Sequence, residues 1–284
     1  MQIFRTQAAI KDYLRPFLST QKIGFVPTMG ALHEGHLALA SEAKKHNDIV
    51  VASIFVNPTQ FNNATDLAKY PRTEEADAAL LQSVGCDILF APYAEEMYPQ
   101  PVRTSLDFGT LETVMEGAFR KGHFNGVGMV VAKLFHIVKP TKAYFGQKDL
   151  QQCLVIKQLI QDYSFDVELV IMPTIRETDG LAMSSRNRRL TVAQRQTAPK
   201  IYAALQQTAQ LIQQGASVGS AKEFYRQQIA DEPTFSFEYF EIADLVSLAT
   251  VTDLSKHTEV ALCTAVFMDE VRLIDNLIVQ LSEQ

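Results

Sequence analysis

Cysteine is scarce in this chain: Cys86, Cys153 and Cys263 are the only three in 284 residues, and they stand far apart. No Cys-x-x-Cys occurs, so the common zinc and dithiol spacings are missing. An odd number of separated thiols suits small core residues in a reducing compartment. A basic excess is lacking too, since 26 Lys and Arg stand against 32 Asp and Glu, for a net charge of −6. Nucleic-acid surfaces normally need a basic patch, so no nucleic-acid partner is expected, although a small basic pocket for a nucleotide remains compatible. No apolar run reaches the roughly 20 residues of a membrane span. Arg5, Lys11 and Asp12 interrupt the N-terminal stretch too early for a signal peptide. Internal repeats and low-complexity tracts are also missing, which excludes solenoids and disordered linkers. The expectation is a cytoplasmic protein with no membrane partner.

What is present is an ordinary globular balance, 47% hydrophobic and 20% charged. The length is large for one core and comfortable for two domains. Ile10, Leu14 and Leu18 recur four apart, predicting an amphipathic helix over residues 4–18. Predicted strands follow at Ile23–Pro27, Ile49–Val56, Asp87–Phe90, Lys142–Phe145 and Asp166–Met172. Helices between them are predicted at Leu37–Lys45, Glu74–Ser83, Val127–Val138 and from Gly146-Gln147-Lys148-Asp149 to Tyr163, with a short one at 110–117. The Ile49–Val56 run is continuously apolar, as in a strand buried on both faces. This alternation predicts an α/β fold with a doubly wound parallel sheet. After Thr174 the pattern changes to a polar loop, two helices (191–214 and 218–230) and strands near Ser236–Ile242, Glu259–Met268 and Val271–Ile274. A smaller α+β C-terminal domain is therefore expected, with domains at 1–176 and 177–284.

Four stretches carry chemistry, each at the carboxyl end of a predicted strand or just beyond, the expected ligand crevice of an open α/β sheet. The first is Pro27-Thr28-Met29-Gly30-Ala31-Leu32-His33-Glu34-Gly35-His36. Here a strand turns into a helix whose unpaired N–H groups favour a polyphosphate. His33 and His36 share one side of a turn. Alone, such a pair is most often a surface pair, and zinc usually takes a spacing of four. The glycines and the preceding strand favour a phosphate site. The second stretch, Phe55-Val56-Asn57-Pro58-Thr59-Gln60-Phe61, offers two amides that donate and accept, suited to a small polar substrate, although Asn-Pro alone is common turn chemistry. The third is Gly146-Gln147-Lys148-Asp149, where Lys148 suits a phosphate and Asp149 a ribose. The fourth, Met183-Ser184-Ser185-Arg186-Asn187, combines hydroxyls and a guanidinium into a phosphate clamp.

Together with Asp66-Leu67-Ala68-Lys69-Tyr70-Pro71-Arg72-Thr73, Glu116-Gly117, Gly122-His123-Phe124, Gly126-Val127 and Lys148-Asp149-Leu150-Gln151-Gln152, these motifs resemble the pantothenate synthetases, the pantoate–β-alanine ligases, over nearly the whole chain. The His-x-Gly-His element alone would indicate only the superfamily of nucleotidyltransferases and class I aminoacyl-tRNA synthetases. The resemblance implies a Rossmann-like fold of that superfamily. It also implies an ATP-dependent condensation of (R)-pantoate with β-alanine, through pantoyl adenylate, to pantothenate, AMP and pyrophosphate. By the same resemblance Thr28, Met29, Gly30, Ala31, Leu32, His33, Glu34, Gly35, His36, Gly146, Gln147, Lys148, Asp149, Ile175, Met183, Ser184, Ser185 and Arg186 bind ATP. His36 is the proton donor, and His33, Lys148 and Arg186 join it in catalysis. Gln60 contacts both acids, Gln152 contacts pantoate, and Asn57 completes the substrate pocket. Asp77 is a candidate magnesium ligand, Mg²⁺ accompanies ATP, a homodimer is expected, and the C-terminal domain is expected to close as a lid that excludes water. Gln147 stands where the family has an acidic residue, and Lys121 where proline is usual. Three other readings share parts of this pattern: a nucleotidyltransferase that leaves AMP on its product, a catalytically silent nucleotide sensor, and a synthetase relative needing a tRNA surface that the acidic balance disfavours.

Overall fold

In the computed structural model, β2 (Ile23–Thr28) is the strand around which the larger sheet is ordered. The structure describes residues 1–61, 67–68 and 70–281. Asp66 and Lys69 of the family-like stretch lie outside the described residues. Contacts divide the chain into two compact units. The first holds Met1–Glu112, Glu116–Gln147 and Gln152–Pro173, and the second holds Thr113–Met115, Lys148–Gln151 and Thr174–Gln284.

The first unit is built from β1 (Gln2–Phe4), α1 (Gln7–Leu14), β2, α2 (Glu34–His46), β3 (Ile49–Ile54), α3 (Glu74–Ser83), β4 (Ile88–Phe90), α4 (Ala94–Met97), all but the first residue of α5 (Met115–Phe119), α6 (His123–Val138), β5 (Lys142–Gly146), all but the first two residues of α7 (Leu150–Asp162), and β6 (Glu168–Met172). Its six strands are parallel in the order β1-β4-β3-β2-β5-β6. Chain order reverses at β2, which is the switch point where open α/β sheets bind ligands. β2 pairs with β3 along its whole length, Ile23 with Ile49 through Thr28 with Ile54. It pairs with β5 only at Gly24–Lys142 and Phe25–Ala143. The carboxyl half of β2 is thus without a strand partner on the β5 side, where a crevice belongs. One face of the sheet packs Val26, Val50, Ala52 and Leu89 against Leu39, Ala40 and Ala43 of α2 and Leu81 of α3. On the other face Phe25 meets Phe135 of α6 edge-on at 6.4 Å.

The second unit contains α8 (Val192–Thr197), α9 (Lys200–Gln213), α10 (Val218–Ala230) and an antiparallel sheet of β7 (Ser236–Ala243), β8 (Glu259–Met268) and β9 (Val271–Gln280). Leu205 and Ile212 of α9 and Tyr225 and Ile229 of α10 share its core with Phe240, Leu262 and Val279 of the sheet.

Four differences from the sequence expectation have physical causes. The short strand β1 occupies part of the residues expected in the first helix, because Gln2, Ile3 and Phe4 pair with Ile88, Leu89 and Phe90. A three-residue edge strand has no periodicity to read. The helix expected over 127–138 begins at His123, four residues early, because Gly122 takes φ +75° and starts it. The helix expected over 191–214 breaks before Lys200, because Pro199 lacks an N–H and clashes with the preceding turn. Finally, β9 runs six residues beyond Ile274, through Asp275 and Asn276. Asp-Asn reads as a strand terminator in sequence, and its tolerance here comes from buried partners described below.

Candidate active site

The turn after β2 is held by a carboxylate. Asp77, in the first turn of α3, is 2% exposed and accepts from the Ala31 N–H (2.9 Å) and the Leu32 N–H (2.8 Å), one to each oxygen. Thr73 Oγ1 donates to it as well, at 3.1 Å. Asp77, the candidate magnesium ligand, thus has both oxygens engaged in shaping the backbone. Among the described residues no group of three His, Cys, Asp or Glu could hold a metal ion. Gly30 sits at φ +86°, and a Cβ there would lie 3.2 Å from Asp77 Oδ2 and 3.1 Å from Ile54 Cγ2. Ala31 follows at φ +52°, a strained value that the two amide bonds enforce. Thr28 Oγ1 donates to Ser53 O (2.8 Å) and accepts from the Gly30 N–H (3.2 Å), tying the turn to β3.

The two histidines form a reciprocal cap at the start of α2. His33 is the N-cap, and its Nδ1 accepts from the Gly35 N–H at 3.2 Å. His36 reaches back, its Nδ1 accepting from the His33 N–H at 3.4 Å. Their ring centroids are 4.1 Å apart. A backbone N–H can only donate, so each Nδ1 is the acceptor. In the neutral rings the proton therefore sits on Nε2, an assignment made from the hydrogen-bond pattern. The spacing of three thus serves a capping box, with histidines in place of the usual serine and glutamate, and it orients two Nε2–H donors.

Beyond β3 the structure brings Met29, Asn57 and Gln60 together. The Gln60 amide donates from Nε2 to Met29 Sδ at 2.9 Å and accepts at Oε1 from Asn57 Nδ2 at 3.1 Å. Sulfur is a weak acceptor, so this donor is readily exchanged for a carboxylate or hydroxyl. Asn57 is a different case. It is 1% exposed, donates also to Gly126 O (3.1 Å), and accepts from Tyr98 Oη (2.9 Å) and Thr59 Oγ1 (2.9 Å). Both polar atoms of its amide are engaged, and one of these bonds orients Gln60. His123 Nδ1 lies 2.9 Å from Gln60 O. A Cβ on Gly126 would meet Thr59 O at 2.4 Å, so only glycine lets α6 approach this turn. Burial pushes the Tyr98 phenol above its ordinary range, with the Thr59 hydroxyl opposing weakly. It therefore donates as a neutral hydroxyl.

In the second unit Lys148, Ser184, Arg186 and Asn187 line one cavity, together with Asp275 and Arg272. Ser184 Oγ caps its turn by accepting from the Arg186 N–H at 3.2 Å, and Asn187 Nδ2 donates to Ala182 O at 3.1 Å. The Met183 N–H donates to Ile175 O at 3.0 Å, closing a hairpin behind the Ser-Arg loop. Lys148 Nζ is 3.8 Å from Asp149 Oδ2, and the Asp149 side chain is half exposed. Gln151, adjacent to the expected Gln152, is buried and donates to Val114 O at 2.9 Å. Gln152 itself is half-buried on α7.

Sequence reasoning missed Tyr98, Arg176, Asp275 and Asn276, which act through other residues and carry no motif of their own. His123 belongs to the Gly122-His123-Phe124 motif, but its bond to the Gln60 carbonyl is not legible in sequence.

A family model described as "Pantoate-beta-alanine ligase" matches residues 2–278. The pantothenate synthetase of Cytophaga hutchinsonii is 47% identical over 258 residues, covering 90% of this chain and 91% of that protein. The crystal structure of the pantothenate synthetase from Thermus thermophilus superposes with a TM-score of 0.92 at 44% identity, over 98% of this chain and 99% of that one. The pantoate-beta-alanine ligase of Francisella tularensis, complexed with "Beta-gamma ATP and Beta-alanine", gives a TM-score of 0.81 at 35% identity, over 98% of this chain and 97% of that one.

Proposed function

The chain belongs to the pantoate–β-alanine ligase family, and we propose that His36, His33, Lys148 and Arg186 are the groups with which it performs that family's reaction. It is an AMP-forming ligase: it condenses (R)-pantoate with β-alanine, using ATP, and gives pantothenate, AMP and pyrophosphate through pantoyl adenylate. The observation that carries this reading is the match over residues 2–278 of a chain that keeps His33, His36, Gln60, Lys148, Gln152 and Arg186.

In the first step the pantoate carboxylate attacks the α-phosphorus, and charge grows on the phosphate oxygens and on departing pyrophosphate. Groups that meet this charge better in the transition state than in bound ATP lower the barrier. Lys148 and Arg186 supply positive charge, and the Nε2–H donors of His33 and His36 supply directed hydrogen bonds. Removing one well-placed donor in such a site typically costs on the order of 100- to 1000-fold in rate. His36 is the proposed proton donor to the leaving oxygen, a role suited to histidine near neutral pH. In the second step the β-alanine amine attacks the acyl carbon and AMP departs. Gln60 is proposed to bind both acids, exchanging its weak bond to Met29 for a substrate oxygen, and Gln152 to bind pantoate. Gly146 supports nucleoside binding, since a Cβ there would meet nothing within 4 Å and the fold itself does not demand glycine.

Magnesium is proposed to enter as part of the substrate Mg-ATP, while the Asp77 carboxylate is held by two backbone amides and a hydroxyl. In such complexes the phosphates and water supply most ligands. A homodimer is proposed from the family resemblance, and a cytoplasmic location from the three widely separated cysteines. Among the described residues no helix is long and apolar enough to cross a membrane. Light scattering during gel filtration tests the dimer, which a monomer mass would exclude.

The decisive assay follows AMP and pyrophosphate from Mg-ATP and D-pantoate, with and without β-alanine. AMP should form in step with pantothenate only when β-alanine is present. His36→Ala should lower adenylate formation by roughly 100-fold or more, on the scale of a lost donor, with the melting temperature little changed. Full turnover in that variant would remove His36 from the chemistry.

A further inference from the structure

The strand β9 carries a buried polar pair that the proposed chemistry does not use. Asp275 is 5% exposed, and its carboxylate is bridged by both terminal nitrogens of Arg176, Nη1 to Oδ2 at 2.7 Å and Nη2 to Oδ1 at 2.9 Å. The Asn276 N–H also donates to Oδ1, at 2.7 Å. Arg176 donates further to Gly180 O (3.1 Å) and Asn276 O (3.2 Å), and its guanidinium lies 3.5 Å above the centre of the Tyr202 ring. The Asn276 side chain turns the other way. It is 3% exposed, and Nδ2 donates to the backbone carbonyl of Lys148 at 2.9 Å.

These bonds converge on two segments. Arg176 begins the hairpin that ends at Ala182 and Met183, pairing with Ala182 across it. The Ser184–Arg186 loop follows at once. Asn276 holds Lys148, 128 residues away in the chain. One dipeptide in the middle of β9 therefore fixes the hairpin that delivers Ser184 and Arg186 on one side, and Lys148 on the other. A strand pinned in register across ten pairs with β8 is a rigid reference for both. A single buried ion pair is weak evidence for added stability. Here its partners point at a second role, because Arg176 ties the pair to the hairpin before Ser184 and the Asn276 side chain ties it to Lys148.

We propose that Asp275, Asn276 and Arg176 are positioning residues that set Lys148 and the Ser184–Arg186 loop at the spacing an ATP polyphosphate requires. The inference rests on the assignment of Lys148 and Arg186 to ATP. Small displacements of such groups are costly, since an error near 1 Å can lower a rate about 100-fold.

The test is steady-state kinetics of the full-length chain for Asn276→Ala, Lys148→Ala and the double variant, with melting temperatures alongside. Asn276→Ala should lower kcat/KM for ATP by about 10- to 100-fold and leave the KM for β-alanine within about twofold. In the Lys148→Ala background it should cause no further loss, because the group it positions is gone. An unchanged kcat/KM for ATP in Asn276→Ala would overturn the proposal, and so would a full additive loss in the double variant. If Lys148→Ala itself loses nothing, the assignment of Lys148 fails instead. Should Asn276→Ala not fold, Arg176→Lys decides: it keeps the charge but not the two-pronged fork. It should show the same loss for ATP with β-alanine spared, and equal use of ATP would overturn the proposal.

Discussion

Asp77 in the first unit and Asp275 in the second are both almost fully buried, and each holds a segment that the proposed reaction uses. Their charges are neutralised differently. Asp77 is met by two backbone N–H groups of the turn it shapes and by one hydroxyl. Asp275 is met by a guanidinium 99 residues away. The first arrangement reaches 45 and 46 residues along the chain but ends on the two amides of a single turn, so losing it disorders that turn. The second joins distant elements, so losing one partner leaves an uncompensated charge in the core. Burial raises the Asp275 carboxyl above its ordinary range, and Arg176 opposes this.

The comparison therefore predicts unequal costs. Arg176→Ala strands the Asp275 charge and should destabilise the protein by about 3–5 kcal/mol, a fall in melting temperature on the order of 10 °C or more. Calorimetry checks this. Replacing both partners, Arg176→Met with Asp275→Leu, should recover most of the stability, because no charge is left unpaired. Use of ATP should not recover with it. If the single variant melted like the parent, Asp275 would have another partner and the contrast would collapse.

Asp77→Asn should cost less, about 1.5–3 kcal/mol, because one charge-assisted bond to an amide is lost and one acceptor remains. The effect should concentrate on the turn. The ATP KM should rise roughly tenfold, the scale of 1.4 kcal/mol, while the KM of β-alanine moves little. A loss of stability as large as that of Arg176→Ala would show that the turn supports the whole unit rather than itself.

The same contrast explains what could be read from sequence. The parallel sheet was legible, because Ile49–Ile54 is a continuously apolar run and the strands alternate with helices. The His motif was legible as a strand-to-helix turn, since the glycines and the N-terminal position are encoded within ten residues. That the histidines cap the helix was not, because a capping box is normally recognised by serine and glutamate. Asp77 was noticed, but its hold on the turn was not legible, as sequence shows a carboxylate and not the amides it meets. Asp275 and Asn276 were invisible, and β9 was cut short at them. Their meaning depends on Arg176, and no periodicity links positions 176 and 275. The His motif is spelled out within ten residues, whereas the bonds from Asp77 to its turn and from Arg176 to Asp275 span distances over which sequence leaves no trace.

The smallest effect should come from Tyr98→Phe, which probes positioning in the first unit as Asn276→Ala does in the second. The Tyr98 hydroxyl donates to Asn57 Oδ1, and Asn57 in turn donates to Gln60 Oε1. Losing that hydroxyl does not strand Asn57, whose Oδ1 still accepts from Thr59 Oγ1 and whose Nδ2 still donates to Gly126 O. The cost should be about 1 kcal/mol or less, so the KM for pantoate should rise by only about two- to fivefold, with the ATP KM unmoved. The first unit thus orients Gln60 through several bonds, any one of which is dispensable. For the Lys148 carbonyl, the bond from Asn276 is the one proposed to matter. A loss above about tenfold in Tyr98→Phe would mean that the Asn57 network has no such redundancy, and the two units would then hold their side chains by the same logic after all.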